Sequence, residues 1–322
     1  MSARAVTFLG TASQVPTRLR NHNALFLAWD GLGILFDPGE GTQRQMTLAG
    51  LSASQVTHVA ITHFHGDHCL GLAGIIQRLS LDCVGHPVEV IYPASGQAFF
   101  ERLRHASIFH DSATIVPRPI RVAPGEEVEV CRAGKARLLA RALEHGIDCQ
   151  GYRLSEDEGR RMLPEKLEQA GVRGPAVRAL MREGRLEVGG RTVLLEEVSE
   201  HRPGQAFALV MDTRPCPGAE ALAHNADLLV CESTYLESEA REAHDHFHMT
   251  AAQAARLARS AGARRLALTH FSQRYPSAEP FRAEASALHP DVVVADDLVQ
   301  VAVPRRRDPA PLSPASGEGG RG

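Results

Sequence analysis

The segment Thr62-His63-Phe64-His65-Gly66-Asp67-His68 constrains this chain more than any other, because it follows the apolar run Val56 to Ile61 without a break. A β-branched run of that kind reads as a buried strand, so the polar cluster lies in a tight loop at the strand's C-terminal end. Alternation along the chain points His63 and His65 one way, while Asp67 and His68 turn toward a second position. Imidazole nitrogen and carboxylate oxygen are donors that borderline divalent ions such as zinc favour. Two adjacent metal positions explain the pattern better than one. A site of that kind needs more donors than one loop holds, so the fold must bring other segments to the same place.

Three segments repeat the arrangement. The run Arg137 to Leu143 ends in Glu144-His145-Gly146, the run Ala206 to Met211 in Asp212-Thr213, and the run Leu266 to Thr269 in His270-Phe271. A single His or Asp after a strand is more often a cap or turn residue; the repetition is what carries weight. Donors gathered at the C-terminal ends of strands imply a sheet that opens a polar site along one edge.

A core able to support such a sheet is available, since 322 residues at 43% hydrophobic content are ordinary for a globular chain. No apolar segment approaches the roughly 20 residues needed to span a bilayer. Met1-Ser2-Ala3-Arg4 leads straight into a strand, without the apolar core of a signal peptide. The cysteines at 69, 83, 131, 149, 216 and 231 show no C-x-x-C spacing and read as reduced thiols of a cytoplasmic protein. An aromatic content of 5% argues against base-stacking platforms like those of RNA-binding sheets.

The chain is organised as one domain, residues 1–303, with an insertion at 155–195 and a tail, 304–322, whose Arg, Pro, Ser and Gly content predicts disorder. Strands are expected at Val6 to Leu9, Ala24 to Ala28, Gly33 to Phe36 and Leu228 to Cys231. A helix is expected from Leu70 to about Leu79, and an alanine-rich one from Ala251 to Ala261, closed by Gly262. Between Arg160 and Arg191 eight basic residues face four acidic ones, a local net of +4 in a chain of −3. A basic protrusion on a mildly acidic body suits capture of a phosphate backbone.

Taken together the motifs resemble the metallo-β-lactamase superfamily and, within it, the ribonuclease Z family of tRNA 3′-processing endonucleases. The narrower resemblance rests on Phe8-Leu9-Gly10-Thr11 with Pro16-Thr17 and Arg20-Asn21, and on Leu35-Phe36-Asp37-Pro38-Gly39-Glu40-Gly41-Thr42-Gln43. It rests further on Glu144-His145 with Gly151-Tyr152, on Asp212-Thr213-Arg214-Pro215, and on Leu268-Thr269-His270-Phe271-Ser272 with Arg274-Tyr275. The resemblance implies an α/β fold, the αββα sandwich of the metallo-β-lactamases, with an inserted flexible arm. It implies a zinc-dependent endoribonuclease that removes the 3′ trailer of precursor tRNA and leaves a 3′-hydroxyl. It also implies a homodimer in which one subunit's arm presents the tRNA to the other subunit's site.

By the same resemblance His63, His65 and His145 hold one metal, Asp67, His68 and His270 the second, and Asp212 bridges them. Two Zn2+ per subunit are implied, and the donor chemistry accepts Mn2+ as well. Asp67 takes the family's proton-acceptor role, and His248 matches the position that stabilises the leaving ribose oxygen; a histidine suits a general acid. Gly174-Pro175 resembles the glycine-proline motif of the arm, whose tRNA contacts would fall on Lys166, Arg173, Gly174, Pro175 and Arg178. One departure concerns His248: the residues before Asp212 are Ala208, Leu209 and Val210, so the acidic partner expected there is absent or supplied elsewhere, for example by Glu232. As an alternative, the same metal core could serve a phosphodiesterase or other hydrolase of small esters, which would have no use for a basic arm.

Overall fold

Strand Ala206–Val210 shows how the sequence builds layers: Phe207 and Leu209 enter one apolar cluster, while Ala208 and Val210 enter another. A strand buried on both faces is the mark of a parallel sheet covered on both sides. Leu228–Glu232 repeats the pattern, with Leu228 and Val230 facing inward and Leu229 and Cys231 outward. In Ala24–Trp29 the residues Leu25, Leu27 and Trp29 join the same inner cluster, and Ala24 and Phe26 join a third on the far side.

The computed structural model describes Arg4–Arg305, so most of the tail expected at 304–322 lies outside the described residues. The described chain forms two compact units. The larger, residues up to Ser155 with Ala206–Pro304, holds two seven-stranded sheets. The first runs in the order Gln300–Ala302, Ala5–Gly10, Ala24–Trp29, Leu32–Phe36, His58–Ala60, Val88–Pro93, Ile115–Ile120. The second runs Val292–Val294, Arg265–Thr269, Leu228–Glu232, Ala206–Val210, Cys149–Glu156, Ala136–Leu143, Val128–Ala133. The inner cluster is shared by both sheets, and the outer faces are covered by helices, giving the four layers of an αββα sandwich.

In each sheet a block of parallel strands ends along one edge. Leu32–Phe36, His58–Ala60 and Val88–Pro93 are parallel in the first, and Ala206–Val210, Leu228–Glu232 and Arg265–Thr269 in the second. Their C-terminal ends deliver Asp37, the His63 loop, Asp212 and His270 to a common edge, the place where open α/β sheets put their sites. The two sheets are tied directly behind the histidine loop: Tyr152 donates from its hydroxyl to the Ile61 carbonyl at 2.7 Å, and the Gln150 amide donates to the Thr62 carbonyl at 3.0 Å.

The helix expected from Leu70 to about Leu79 runs over Leu72–Leu81, and a short helix not expected from the sequence, Gly66–Cys69, precedes it, with a break at Leu70 and Gly71. The loop Pro38-Gly39 causes the break by close approach. The Gly71 amide donates to the Pro38 carbonyl at 2.9 Å, and a Cβ at Gly71 would lie 2.0 Å from the Gly39 oxygen. The alanine-rich helix forms over Ala251–Ser260, capped by Thr250 through a reciprocal box with Gln253. That cap fixes the chain just after His248.

The smaller unit is Glu156–Gln205, extending past the boundary of 195 read from sequence. Strands Gly159–Met162 and Ser199–Arg202 pair at its base, followed by helices Pro164–Gln169 and Pro175–Glu183 and the hairpin Arg185–Val188 with Arg191–Leu194. Val172, Leu180, Val193 and Val198 give it a core of its own. Over the whole unit nine basic residues meet ten acidic ones, so the +4 found for 160–191 belongs to that window alone. Arg161, Arg173, Arg182 and Arg191 are moreover ion-paired with Glu200, Glu168, Glu183 and Glu197 within the unit.

Candidate metal centre and active site

Two groups of donors converge at the common strand edge. In the first, one ligand atom from each of His63, His65, His145 and Asp212 lies within 4.8 Å of the others; in the second, the same holds for Asp67, His68 and His270. Asp212 faces both. Its Oδ2 is 3.7 Å from His63 Nε2 and 3.9 Å from His145 Nε2, and its Oδ1 is 3.3 Å from both His68 Nε2 and His270 Nε2. All seven residues singled out in the sequence therefore meet in one place. Asp212 and His270 reach it from left-handed backbone, φ 32° and 64°, an uncommon conformation that turns each side chain inward as its strand ends.

The hydrogen bonds around the rings determine which nitrogens carry protons. Thr62 Oγ1 donates to Asp37 Oδ2 at 2.8 Å, so it must accept from His63 Nδ1 at 3.0 Å. Thr234 Oγ1 donates to Glu232 Oε2 at 2.7 Å and accepts from His270 Nδ1 at 3.0 Å. His68 donates from Nδ1 to Asp37 Oδ2 at 2.9 Å, and His145 from Nδ1 to the Phe247 carbonyl at 3.3 Å. In every case the bare Nε2 lone pair is turned into the site. His68 Nε2 and His270 Nε2 are only 3.2 Å apart, and two bare lone pairs at that distance need a proton or a cation between them.

The electrostatics agree with a cationic occupant. Burial disfavours a charged His68, yet Asp212, Asp67 and Asp37 outweigh it and raise its pKa well above the ordinary histidine range. Burial alone would raise the Asp67 carboxyl, but His68 and His270 hold it well below the usual range, and the Gln14 amide donates to Asp67 Oδ2 at 2.8 Å. His63, His65 and His145 are all lowered by burial, which keeps them neutral as metal donors must be. Asp212 Oδ1 is buried with no hydrogen-bond donor, the situation of an atom that serves a metal. Nitrogen and carboxylate donors in two adjoining groups fit a pair of divalent ions.

Beside the second group stands His248, 4% exposed, with its Nδ1 donating to Glu232 Oε1 at 2.8 Å. Burial opposes its protonation, but the Glu232 carboxylate overrides this and lifts its pKa to about 9. Glu232 is thus the acidic group in contact with His248, where Ala208, Leu209 and Val210 before Asp212 offer none. His244 and His246 are exposed, although His246 does line the outer cleft. The cleft measures about 620 Å³ and opens over His65, Asp67, His145, Asp212 and His248.

Three groups that orient the donors were not legible as such in the sequence: Asp37, Thr62 and Thr234. Asp37 is fully buried and accepts from the Thr62 amide at 2.7 Å as well as from Thr62 Oγ1 and His68 Nδ1. It therefore holds one ring from each donor group. Replacement of Asp37 by alanine is expected to weaken metal binding by roughly 10–100-fold, measured by competition with a chelator of known affinity.

Profiles of known families match two stretches of the chain. Residues 17–161 match the metallo-beta-lactamase superfamily and residues 192–271 a beta-lactamase superfamily domain. Ribonuclease Z of Salinispora arenicola is 54% identical over 96% of this chain and 99% of its own length. The chain belongs to the ribonuclease Z family. Ribonuclease Z of Streptomyces coelicolor is likewise 54% identical, over 95% of this chain and 100% of the relative. Among solved structures, human tRNase Z, short form, superposes with a TM-score of 0.69 at 25% identity, covering 94% of this chain and 100% of its own. The αββα sandwich with a divalent-metal centre is thus the fold of the family to which this chain belongs.

Proposed function

We propose that this chain is a metal-dependent endoribonuclease that cuts precursor tRNA once, removes the 3′ trailer, and leaves a 3′-hydroxyl on the tRNA. The observation that carries this reading is likeness to ribonuclease Z over 96% of a chain whose seven donors, Asp212 central among them, meet in one place. His63, His65 and His145 would hold one ion and Asp67, His68 and His270 the other, with Asp212 between them. Zinc is the ion the donor set suits best, two per chain, with manganese also accommodated. When bound, such a pair lowers the pKa of water and neutralises charge on the phosphate.

The chain's own groups supply the rest. Asp67 takes the family's proton-acceptor position beside the attacking water. Because His68 and His270 hold its carboxyl well below the usual range, its main contribution is to orient that water. His248, protonated at neutral pH and anchored by Glu232, donates from Nε2 to the ribose 3′ oxygen as the bond to phosphorus breaks. Lys166, Arg173, Gly174, Pro175 and Arg178, all exposed, make the smaller unit the tRNA-gripping arm in this reading. The described helices include none long and apolar enough to cross a membrane, and none of the six cysteines is in a disulfide, which supports a cytoplasmic enzyme. A homodimer completes the reading, to be checked by light scattering of the eluting protein.

The chain enters and leaves the smaller unit through paired residues, which gives a point at which to excise it. Glu156 and Gln205 are hydrogen-bonded at the unit's base, where the Glu156 amide donates to the Gln205 carbonyl at 3.0 Å, and Ser155 pairs with Ala206 just below. A short turn can replace residues 157–204. This variant is expected to lose about 100-fold or more in kcat/KM on precursor tRNA through lost phosphate contacts, while cleaving bis-p-nitrophenyl phosphate as before. Retained tRNA cleavage would remove the arm from the reading. Cleavage of the small diester by intact protein that leaves tRNA untouched would overturn the substrate assignment.

A further inference from the structure

Phe64 lies between His63 and His65, yet its ring packs away from the donors. Its neighbours are Tyr92, edge-on at 5.9 Å, and Phe99, at 5.8 Å with the planes 31° apart. Gly96 cradles it: a Cβ at that position would fall 2.0 Å from Phe64 Cε2, so any side chain there would push the ring out. Tyr92 is itself held, fully buried, stacked on Phe100 at 4.7 Å and donating from its hydroxyl to Gln97 Oε1 at 2.7 Å. The inner edge of this row is buried and fixed by a hydrogen bond. The outer edge is open, because Phe99 is 48% exposed in helix Gln97–Arg104. The Arg102 guanidinium lies 5.5 Å from the Phe99 ring centre, and Arg102 has no carboxylate partner among the described residues.

We propose that Phe64, Phe99 and Arg102 form a stacking platform for a nucleobase that adjoins the cleaved bond. The proposal rests on the ribonuclease reading above and names a part of the substrate that the metal centre leaves unheld. Every base offers a π face, and aromatic rings and guanidinium planes stack on it irrespective of sequence. That tolerance suits RNA whose sequence varies around the cut. Arg102 adds a positive charge beside the exposed ring, which favours a polyanion there. The platform is built into the metal loop, since Phe64 is flanked by two donors. A base stacked there is therefore placed relative to the scissile phosphate.

The test uses the metal-loaded full chain and three precursor tRNAs: one intact, one abasic at the last tRNA nucleotide, one abasic at the first trailer nucleotide. Phe99→Ala is expected to lower kcat/KM on the intact precursor about tenfold, the loss of one stacked base, and Phe99→Trp to restore it. On one of the two abasic precursors the Phe99→Ala variant and the wild type should cleave equally. 2-Aminopurine at that position should be quenched on binding to the wild type and not to Phe99→Ala, and bis-p-nitrophenyl phosphate should be cleaved alike by both. An equal loss on all three precursors would overturn the proposal, as would no loss on any. A loss accompanied by dissociation of an oligomer on gel filtration would make the face a contact between copies of the chain, and the proposal would again be wrong. Wild type that cuts the small diester but no precursor would sink the ribonuclease reading and the platform together; wild type that cuts precursors with Phe99→Ala unchanged would sink the platform alone.

Discussion

Asp212→Ala is expected to abolish hydrolysis of precursor tRNA and of bis-p-nitrophenyl phosphate alike, with a fall in kcat of about 10⁴-fold or more for loss of two-metal catalysis. The expectation follows from geometry. Oδ2 faces His63 and His145 while Oδ1 faces His68 and His270, so one truncation removes a donor from both groups. Removing any other donor depletes only one. Elemental analysis should therefore find the wild type with two ions per chain and Asp212→Ala depleted at both positions, whereas Asp67→Ala and His65→Ala should each retain one. Stability should follow metal content, because a ligand at about 1,000 times its Kd adds roughly 4 kcal/mol to the folded state. Chelation is then expected to lower the Tm of the wild type by several degrees and to leave Asp212→Ala nearly unmoved. Asp212→Ala with full metal content and an unchanged response to chelator would show that the two groups do not share this carboxylate.

The donors were legible in the sequence for a simple reason. Each lies at or within a few residues of the C-terminal end of a strand, and the parallel strands of each sheet bring their C-terminal ends to one edge whatever the details of packing. The partners that orient the rings depend on register between strands distant in sequence. Phe36 pairs with Ala60, which sets Asp37 beside Thr62; Glu232 pairs with Thr269, which brings Thr234 to His270. Neither register can be read from one strand alone. The break at Gly71 was hidden for the same reason, since its cause, the Pro38-Gly39 loop, lies over 30 positions upstream. Phe64 and Phe99 are as far apart in sequence, and a 5% aromatic content argues against broad ring platforms without excluding two rings that meet. Local charge misled differently: the window 160–191 omits the acidic residues at both ends of the compact unit, among them Glu156, Asp157, Glu158, Glu196 and Glu197.

His248→Ala should separate the leaving-group step from the metal chemistry. A positioned general acid contributes typically about 10²–10⁴-fold, and that loss is expected in kcat on precursor tRNA, whose leaving ribose oxygen is strongly basic. p-Nitrophenolate leaves without a proton, so bis-p-nitrophenyl phosphate should be cleaved within about twofold of wild type under the same argument. Glu232→Gln is the finer test. The Glu232 carboxylate is what lifts His248 to about 9 against the effect of burial. A raised histidine pKa means that the acid form persists at neutral pH and is lost as pH climbs through the raised value. With a neutral amide in place of the carboxylate, burial is no longer opposed and the pKa falls. The alkaline limb of kcat on precursor tRNA should then move to lower pH in Glu232→Gln, while the limb for the small diester stays where it was. An alkaline limb that does not move, or one that moves equally for both substrates, would assign the proton to a group other than His248.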